Sequence, residues 1–144
     1  MTKERPDHHD AELVLRVYEM RREAVMREAR SALNQKFLPR SFDDVLAVTK
    51  ADHPLNAAYR QVGTYWEMVY GFARHGIVPA DFWMETNGEG LLLFAKVAPF
   101  LDRVRKEISP VAFRHAEWVS KECAEGRRLY QVFSARIKKS LEAK

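Results

Sequence analysis

Residues 57–76 read AAYRQVGTYWEMVYGFARHG and hold the densest group of aromatic side chains in the chain. At helical spacing most of the apolar residues of this stretch fall on one broad face. The members of that face are Tyr59, Val62, Tyr65, Trp66, Met68, Val69, Phe72 and Ala73. A helix that is apolar around most of its circumference must be covered on most sides. The pattern therefore predicts a central helix around which the rest of the chain packs.

Length and composition indicate one soluble domain spanning residues 1–144. The chain has 47% hydrophobic and 31% charged residues, which is typical of a globular protein with one core. Cys123 is its single cysteine, so no internal disulfide is possible and a reducing compartment is favoured. The charged N-terminus lacks a signal core, and no uncharged run approaches the ~20 residues of a membrane span. We expect a cytoplasmic protein with no integral membrane segment.

The first helix is predicted to be long. Asp7 or Asp10 can cap its start, residues 1–8 are expected to be frayed, and the helical pattern continues to about Phe37. Nearly thirty residues would reach roughly 40–45 Å, more than a compact domain of this size covers well. Either the helix kinks, or one end projects and meets a partner.

Cap and breaker residues divide the remaining chain into further helices. Ser41, Pro79 and the Ser109-Pro110 pair predict helix starts, and Pro99 predicts a break. Gly76 predicts a left-handed cap at the end of the central helix. No alternation typical of a strand is sustained. The sequence therefore predicts an all-α bundle of five to seven helices.

Two segments carry a likeness to known proteins. YEMRREAVMREAR (18–30) and YWEMVYGFARHGIVPADFWME (65–85) resemble an uncharacterised family of small, all-helical bacterial domains. The resemblance implies an all-α fold in a bacterial protein, and it brings no functional residues with it.

No catalytic residue, metal ligand or cofactor site is predicted. The five histidines show neither the spacing of a zincin helix nor the Glu-x-x-His of a di-iron bundle, and one cysteine cannot build a thiolate zinc site. His115-Ala116-Glu117 looks like part of a deaminase motif, but the Pro-Cys-x-x-Cys that completes the zinc shell is absent. These patterns favour a non-enzymatic protein.

Trp66, Glu67 and Arg74 are the candidate ligand-binding residues. Glu67 lies on the polar stripe of the central helix, with Arg60 and Arg74 two turns to either side. If the stripe faces a crevice, Glu67 could bind a ligand or act as a base with a raised pKa. If it faces solvent or another arginine, it is an ordinary paired charge. Gly63 and Gly71 favour close packing of another helix over a pocket.

Residues 127–144 carry six Lys and Arg against one Glu, so the basicity of the chain is concentrated there. The candidate contacts to an anionic surface are Arg127, Arg128, Arg136, Lys138 and Lys139. The segment either docks as a last helix or lies on a membrane surface or on phosphates. The near-neutral remainder of the chain argues against a nucleic-acid-binding domain.

The leading functional hypothesis is a non-enzymatic interaction or regulatory module. It is expected to form a homodimer or bind a protein partner through the long first helix. The alternatives are a ligand-binding or enzymatic domain with a pocket near Glu67, and a peripheral membrane or nucleic-acid contact through the basic segment.

Overall fold

The computed structural model describes residues 3–143, which are helical and contain no strand. The α-helices are, in chain order, α1 (His8–Arg22), α2 (Ala24–Lys36), α3 (Phe42–Val48), α4 (Asn56–Arg74), α5 (Ala80–Thr86), α6 (Gly90–Val97), α7 (Leu101–Glu107), α8 (Arg114–Glu122) and α9 (Ala124–Glu142). A short 3-10 segment, Ala98–Phe100, joins α6 to α7 at the proline that predicted a break. The all-α class is confirmed.

Helix α4 is the predicted central helix. It packs against α2, α5, α6 and α8, and Trp66 on its apolar face is only 3% exposed. Gly76 follows it with a φ of 73°, and the amides of Gly76 and Ile77 donate back to Ala73 and Phe72. This is the left-handed cap that the sequence predicts.

A single unbroken N-terminal helix is not confirmed, and the structure has an interruption, which was one of the two alternatives. Helix α1 ends at Arg22, and Glu23 has an extended backbone with a ψ of 146° before α2 begins. No proline or glycine marks this break in the sequence. The break lets α1 bury Val17 and Arg21, while α2 turns to pack its own buried face against α4. Tertiary packing therefore overrides local helix propensity here.

The helix count is also higher than the predicted five to seven, with nine α-helices over residues 3–143. The break at Glu23 adds one helix without a signal in the sequence, and the predicted break at Pro99 divides another helix in two. The start of α8 differs as well, because residues 110–113 form turns and the helix begins at Arg114 instead of Pro110. Phe113, which precedes it, has a φ of 56° in the left-handed region.

The basic C-terminal segment docks on the body as helix α9. It packs against α5, α6 and α8, and Ile137 is buried. Gly126 lies inside its first turns, where an added Cβ would come within 1.8 Å of the Val119 carbonyl oxygen. Helix α8 ends at Glu122, and Gly126 allows close packing of α8 and α9.

Charged side chains from distant elements cap several helix ends. The caps are carboxylates at N-terminal ends and cations at C-terminal ends. Glu67 accepts hydrogen bonds at the N-terminus of α8, and Asp81 accepts from the Glu125 amide at the N-terminus of α9. At C-terminal ends, Lys96 donates to the Leu33 carbonyl of α2 and Arg21 to the Thr86 carbonyl of α5. Carboxylates at N-termini and cations at C-termini satisfy unpaired backbone groups and oppose the helix dipole.

Candidate functional site

A groove of about 300 Å³ lies between α4 and the chain that runs from α7 to the start of α8. We call it the α4–α7 groove. Its apolar wall consists of Tyr59, Val104, Ile108, Val111, Ala112 and Phe113. A larger depression of about 410 Å³ follows the outside of α2, but side chains of that one helix provide all of its lining. The α4–α7 groove, by contrast, has walls from several elements and can enclose a ligand on more than one side.

A few polar groups interrupt the apolar wall of the α4–α7 groove. They belong to Thr49, Arg60, Thr64, Glu67 and Ser109. Arg60 is exposed and has no ion-pair partner among residues 3–143. A largely apolar wall with a small number of polar groups is the usual composition of a small-molecule site.

Gly63 leaves space in the groove. A Cβ built on Gly63 meets no atom within 4 Å, although the residue lies in the middle of α4. At Gly71, two turns later, the same Cβ would lie 3.3 Å from the His115 ring. The expectation of close helix approach at both glycines therefore holds for Gly71 and is wrong for Gly63.

Glu67 is a half-buried carboxylate whose two oxygens are both engaged. One accepts from the His115 amide at 3.1 Å and the other from the Ala116 amide at 2.8 Å. Burial raises the pKa of Glu67 above 4.5, and the two amide hydrogen bonds and the nearby Arg114 and Arg105 oppose that rise. Glu67 therefore joins α4 to α8 as a cap, and it is also one of the residues that line the groove.

Trp66 and Arg74 do not lie in the groove with Glu67. Trp66 faces the interior, where it stacks on Tyr70 at 5.5 Å between ring centres and holds the Arg21 guanidinium 5.2 Å above its ring. Arg74 lines a separate cavity of about 320 Å³. The structure thus separates the three residues that the sequence grouped. Trp66 points away from Glu67 because neighbouring positions on a helix differ by about 100°, and Arg74 lies two turns, about 10 Å, further along the helix. Their part in ligand binding stays a prediction.

The five basic residues predicted to contact an anionic surface have different surroundings. Arg127 donates to the Lys121 carbonyl at the end of α8, and Arg128 pairs with Glu125. Arg136 lies over the Phe133 ring at 5.2 Å. Lys138 and Lys139 are exposed on α9. Three of the five cations thus contact other groups of the chain. Contact of this helix with an anionic surface stays a prediction.

Within residues 3–143, the histidines are not gathered into a metal site, and Cys123 lacks the surroundings of a nucleophile. Over residues 3–143, no three His, Cys, Asp or Glu side chains are placed to hold one metal ion. Cys123 is buried, its thiol donates to the Val119 carbonyl, and burial raises its pKa. A thiol with a raised pKa is a poor nucleophile at neutral pH.

Sequence reasoning missed the groove residues Tyr59, Gly63 and Phe113. A signal for two of them exists, since Tyr59, Gly63 and Glu67 are spaced four apart and therefore share one face of α4. Gly63, which has no side chain, lies between Tyr59 and Glu67 on that face and coincides with the open space in the groove. Phe113 has no comparable signal, because its position depends on the left-handed turn before α8.

Comparisons with known proteins place the chain in a family. No curated protein and no solved structure matches it. The sequence pattern of the DUF4760 family, described as a domain of unknown function, matches residues 6–123, which run from ahead of α1 to the end of α8. Over the described residues, none of the helices combines the length and the hydropathy that a membrane span requires. The match covers most of the chain, so the chain belongs to the DUF4760 family.

Proposed function

We propose that the chain is a non-enzymatic helical module that binds a small, largely apolar molecule in the α4–α7 groove. The observation that carries this proposal is the open space at Gly63, opposite a wall of five apolar side chains from α7 and the loop that follows it. The bacterial origin and cytoplasmic location expected from the sequence belong to the same proposal.

The size and chemistry of the groove support a small ligand. Its volume of about 300 Å³ is at the lower end of the range for ligand pockets, roughly 300–1,000 Å³. Ile108 and Val111 are exposed apolar side chains at this site, and a bound apolar molecule would remove part of their surface from water. The free energy gained by removing this apolar surface from water would favour a hydrocarbon of a few carbon atoms over a polar metabolite.

Binding is better supported than catalysis by the state of Glu67. A general base must be able to accept a proton from the substrate within hydrogen-bond distance. Both carboxylate oxygens of Glu67 already accept backbone amides of α8, which holds the side chain in place as a structural cap. The groove thus offers shape and apolar surface, and its ionisable groups serve the fold or lie at its edge.

The test uses octanol as a probe and nuclear magnetic resonance of the labelled amides. In the wild type, octanol is expected to shift the signals of Gly63 and Val111 in a saturable way. Gly63→Leu places a side chain in the open space and should abolish the shifts, while Gly63→Ala adds one methyl group and should weaken binding less. Both substitutions raise helix propensity, and unchanged amide signals away from the groove would show that each variant is folded.

Saturable binding to Gly63→Leu with the affinity of the wild type would place the octanol site elsewhere and contradict the proposal. Absence of saturable shifts in the wild type with octanol would also contradict it.

Self-association is the second candidate function. The break at Glu23 removes the argument from helix length, but α1 and α2 leave large apolar side chains in water. Leu15 is 60% exposed, Val25 is 65% exposed, and Tyr18 lies one turn from Leu15 on the same helix. Burying such side chains against a second copy would be favourable.

Light scattering during size-exclusion chromatography tests this candidate. A dimer at micromolar concentration that becomes a monomer in Leu15→Ser/Val25→Ser would support it. A wild type that is monomeric at every concentration measured would exclude it.

A further inference from the structure

A basic cavity lies next to the α4–α7 groove. It holds about 320 Å³ between the end of α4, the residues before α8, and α8 itself. The charged side chains that line it are Arg74, Arg105, Arg114, Lys121, Glu117 and Glu122. Four cations and two carboxylates give it a net positive charge.

The positive charge of the basic cavity is only partly neutralised within the chain. Glu117 pairs with both Arg105, at 3.0 Å, and Lys121, at 3.2 Å. Arg74 and Arg114 have no ion-pair partner over residues 3–143, and both are exposed. The pKa of His115 is lowered mainly by burial, and the positive charges of Arg114 and Arg74 lower it further. Two unpaired guanidinium groups at a concave surface favour a bound anion.

The basic cavity and the groove are adjacent and share one lining residue. Val111 lines both of them and is 52% exposed. Arg105 of the basic cavity donates to the carbonyl of Ala112, which belongs to the groove wall. One molecule that crosses Val111 can therefore reach both environments.

Resting on the function proposed above, we infer that the ligand is a small amphipathic carboxylic acid. Its hydrocarbon part lies in the α4–α7 groove, and its carboxylate lies in the basic cavity between Arg74 and Arg114. Glu67 does not line the basic cavity, and both of its carboxylate oxygens accept amides at the N-terminus of α8, which offsets part of its repulsion of the head group.

The experiment compares octanoate with octanol at pH 7, using the same amide signals. Octanol reports on the groove alone, and the ratio of the two affinities reports on the head-group site. In the wild type, octanoate is expected to bind about tenfold more tightly than octanol, and added salt should reduce the affinity for octanoate only. In Arg74→Gln/Arg114→Gln, octanol should bind as in the wild type and the tenfold preference should disappear.

The matched control is Arg16→Gln/Arg27→Gln, which removes the same charge from exposed positions on α1 and α2. It should keep the preference for octanoate. Equal affinities for octanol and octanoate in the wild type would overturn the inference and leave the proposed function standing. A preference lost in Arg60→Gln and retained in Arg74→Gln/Arg114→Gln would place the carboxylate at the opposite end of the groove and also overturn it. If neither compound binds, the proposed function itself fails.

Discussion

Trp66 and Glu67 are neighbours in the sequence, yet they lie on faces of α4 that are packed in opposite ways. Around Trp66 the packing leaves no room, since a Cβ added at Gly90 would lie 2.6 Å from its ring and 2.6 Å from the Tyr70 hydroxyl. Around Glu67 the helix borders open space, and a Cβ added at Gly63 would touch nothing within 4 Å. One helix thus forms the core with one face and a groove with the other.

The closed face also contains polar groups, and each of them is satisfied. Arg21 is 9% exposed and donates to Asn87 at 2.8 Å and to Tyr65 at 3.3 Å. The hydroxyl of Tyr65 donates to the Val17 carbonyl, and that of Tyr70 to the Asn87 carbonyl. Over residues 3–143 no carboxylate pairs with Arg21, so aromatic rings and neutral oxygens stabilise its charge. The comparison shows that polar groups occur on both faces of α4, and that the faces differ in whether they border open space.

The largest expected effect comes from removing the tryptophan of the closed face. Trp66→Ala should lower the free energy of unfolding by about 3–5 kcal/mol, because the core cannot collapse into the space left. Val111→Ala, on the open face, should change it by less than about 0.5 kcal/mol. Urea denaturation of both variants measures the difference. A loss below about 1 kcal/mol for Trp66→Ala would mean that the closed face is loosely packed.

Adding one methyl group to each face should have effects of opposite sign. Gly90→Ala forces the new Cβ into Trp66 and Tyr70 and should destabilise the fold by about 1–3 kcal/mol. Gly63→Ala meets no atom and removes a flexible residue from the middle of a helix, so it should stabilise the fold by up to about 1 kcal/mol. The shift in thermal midpoint of each variant shows the sign directly. Destabilisation by both substitutions would contradict an open groove at Gly63.

The sequence predicted the closed face better than the open one. The apolar spacing of Trp66 and Val69, the cap at Gly76 and the break at Pro99 are local patterns, and the structure confirms them. The break at Glu23 depends on how α1 and α2 wrap around α4, which no local pattern records. The groove likewise depends on where α7 and the following loop lie relative to Gly63. The spacing of residues along one helix indicates which of them share a face, but it does not indicate which element packs against that face.

The smallest expected effect on the open face is the pH dependence of stability that Glu67 causes. Because burial raises its pKa in the folded protein, the folded state binds this proton more tightly than the unfolded chain does. The contribution of Glu67 to stability is therefore fully present below pH 4.5 and is lost as the pH rises through the folded pKa. Relative to Glu67→Gln, the wild type should lose free energy of unfolding over this window, measured by urea denaturation between pH 4 and pH 7.

Glu107 provides the matched control for this experiment, since it is also a glutamate but lies at the surface. Its hydrogen bond from Arg103 lowers its pKa below 4.5, so the sign is reversed. Its contribution is present above pH 4.5 and is lost as the pH falls through the folded pKa. Relative to Glu107→Gln, the wild type should thus gain stability as the pH rises, by a small amount because the pair is exposed. If the Glu67 and Glu107 comparisons had the same slope, the amides of His115 and Ala116 would stabilise the Glu67 carboxylate more than burial penalises it, and the groove beside it would be wetter than its apolar wall implies.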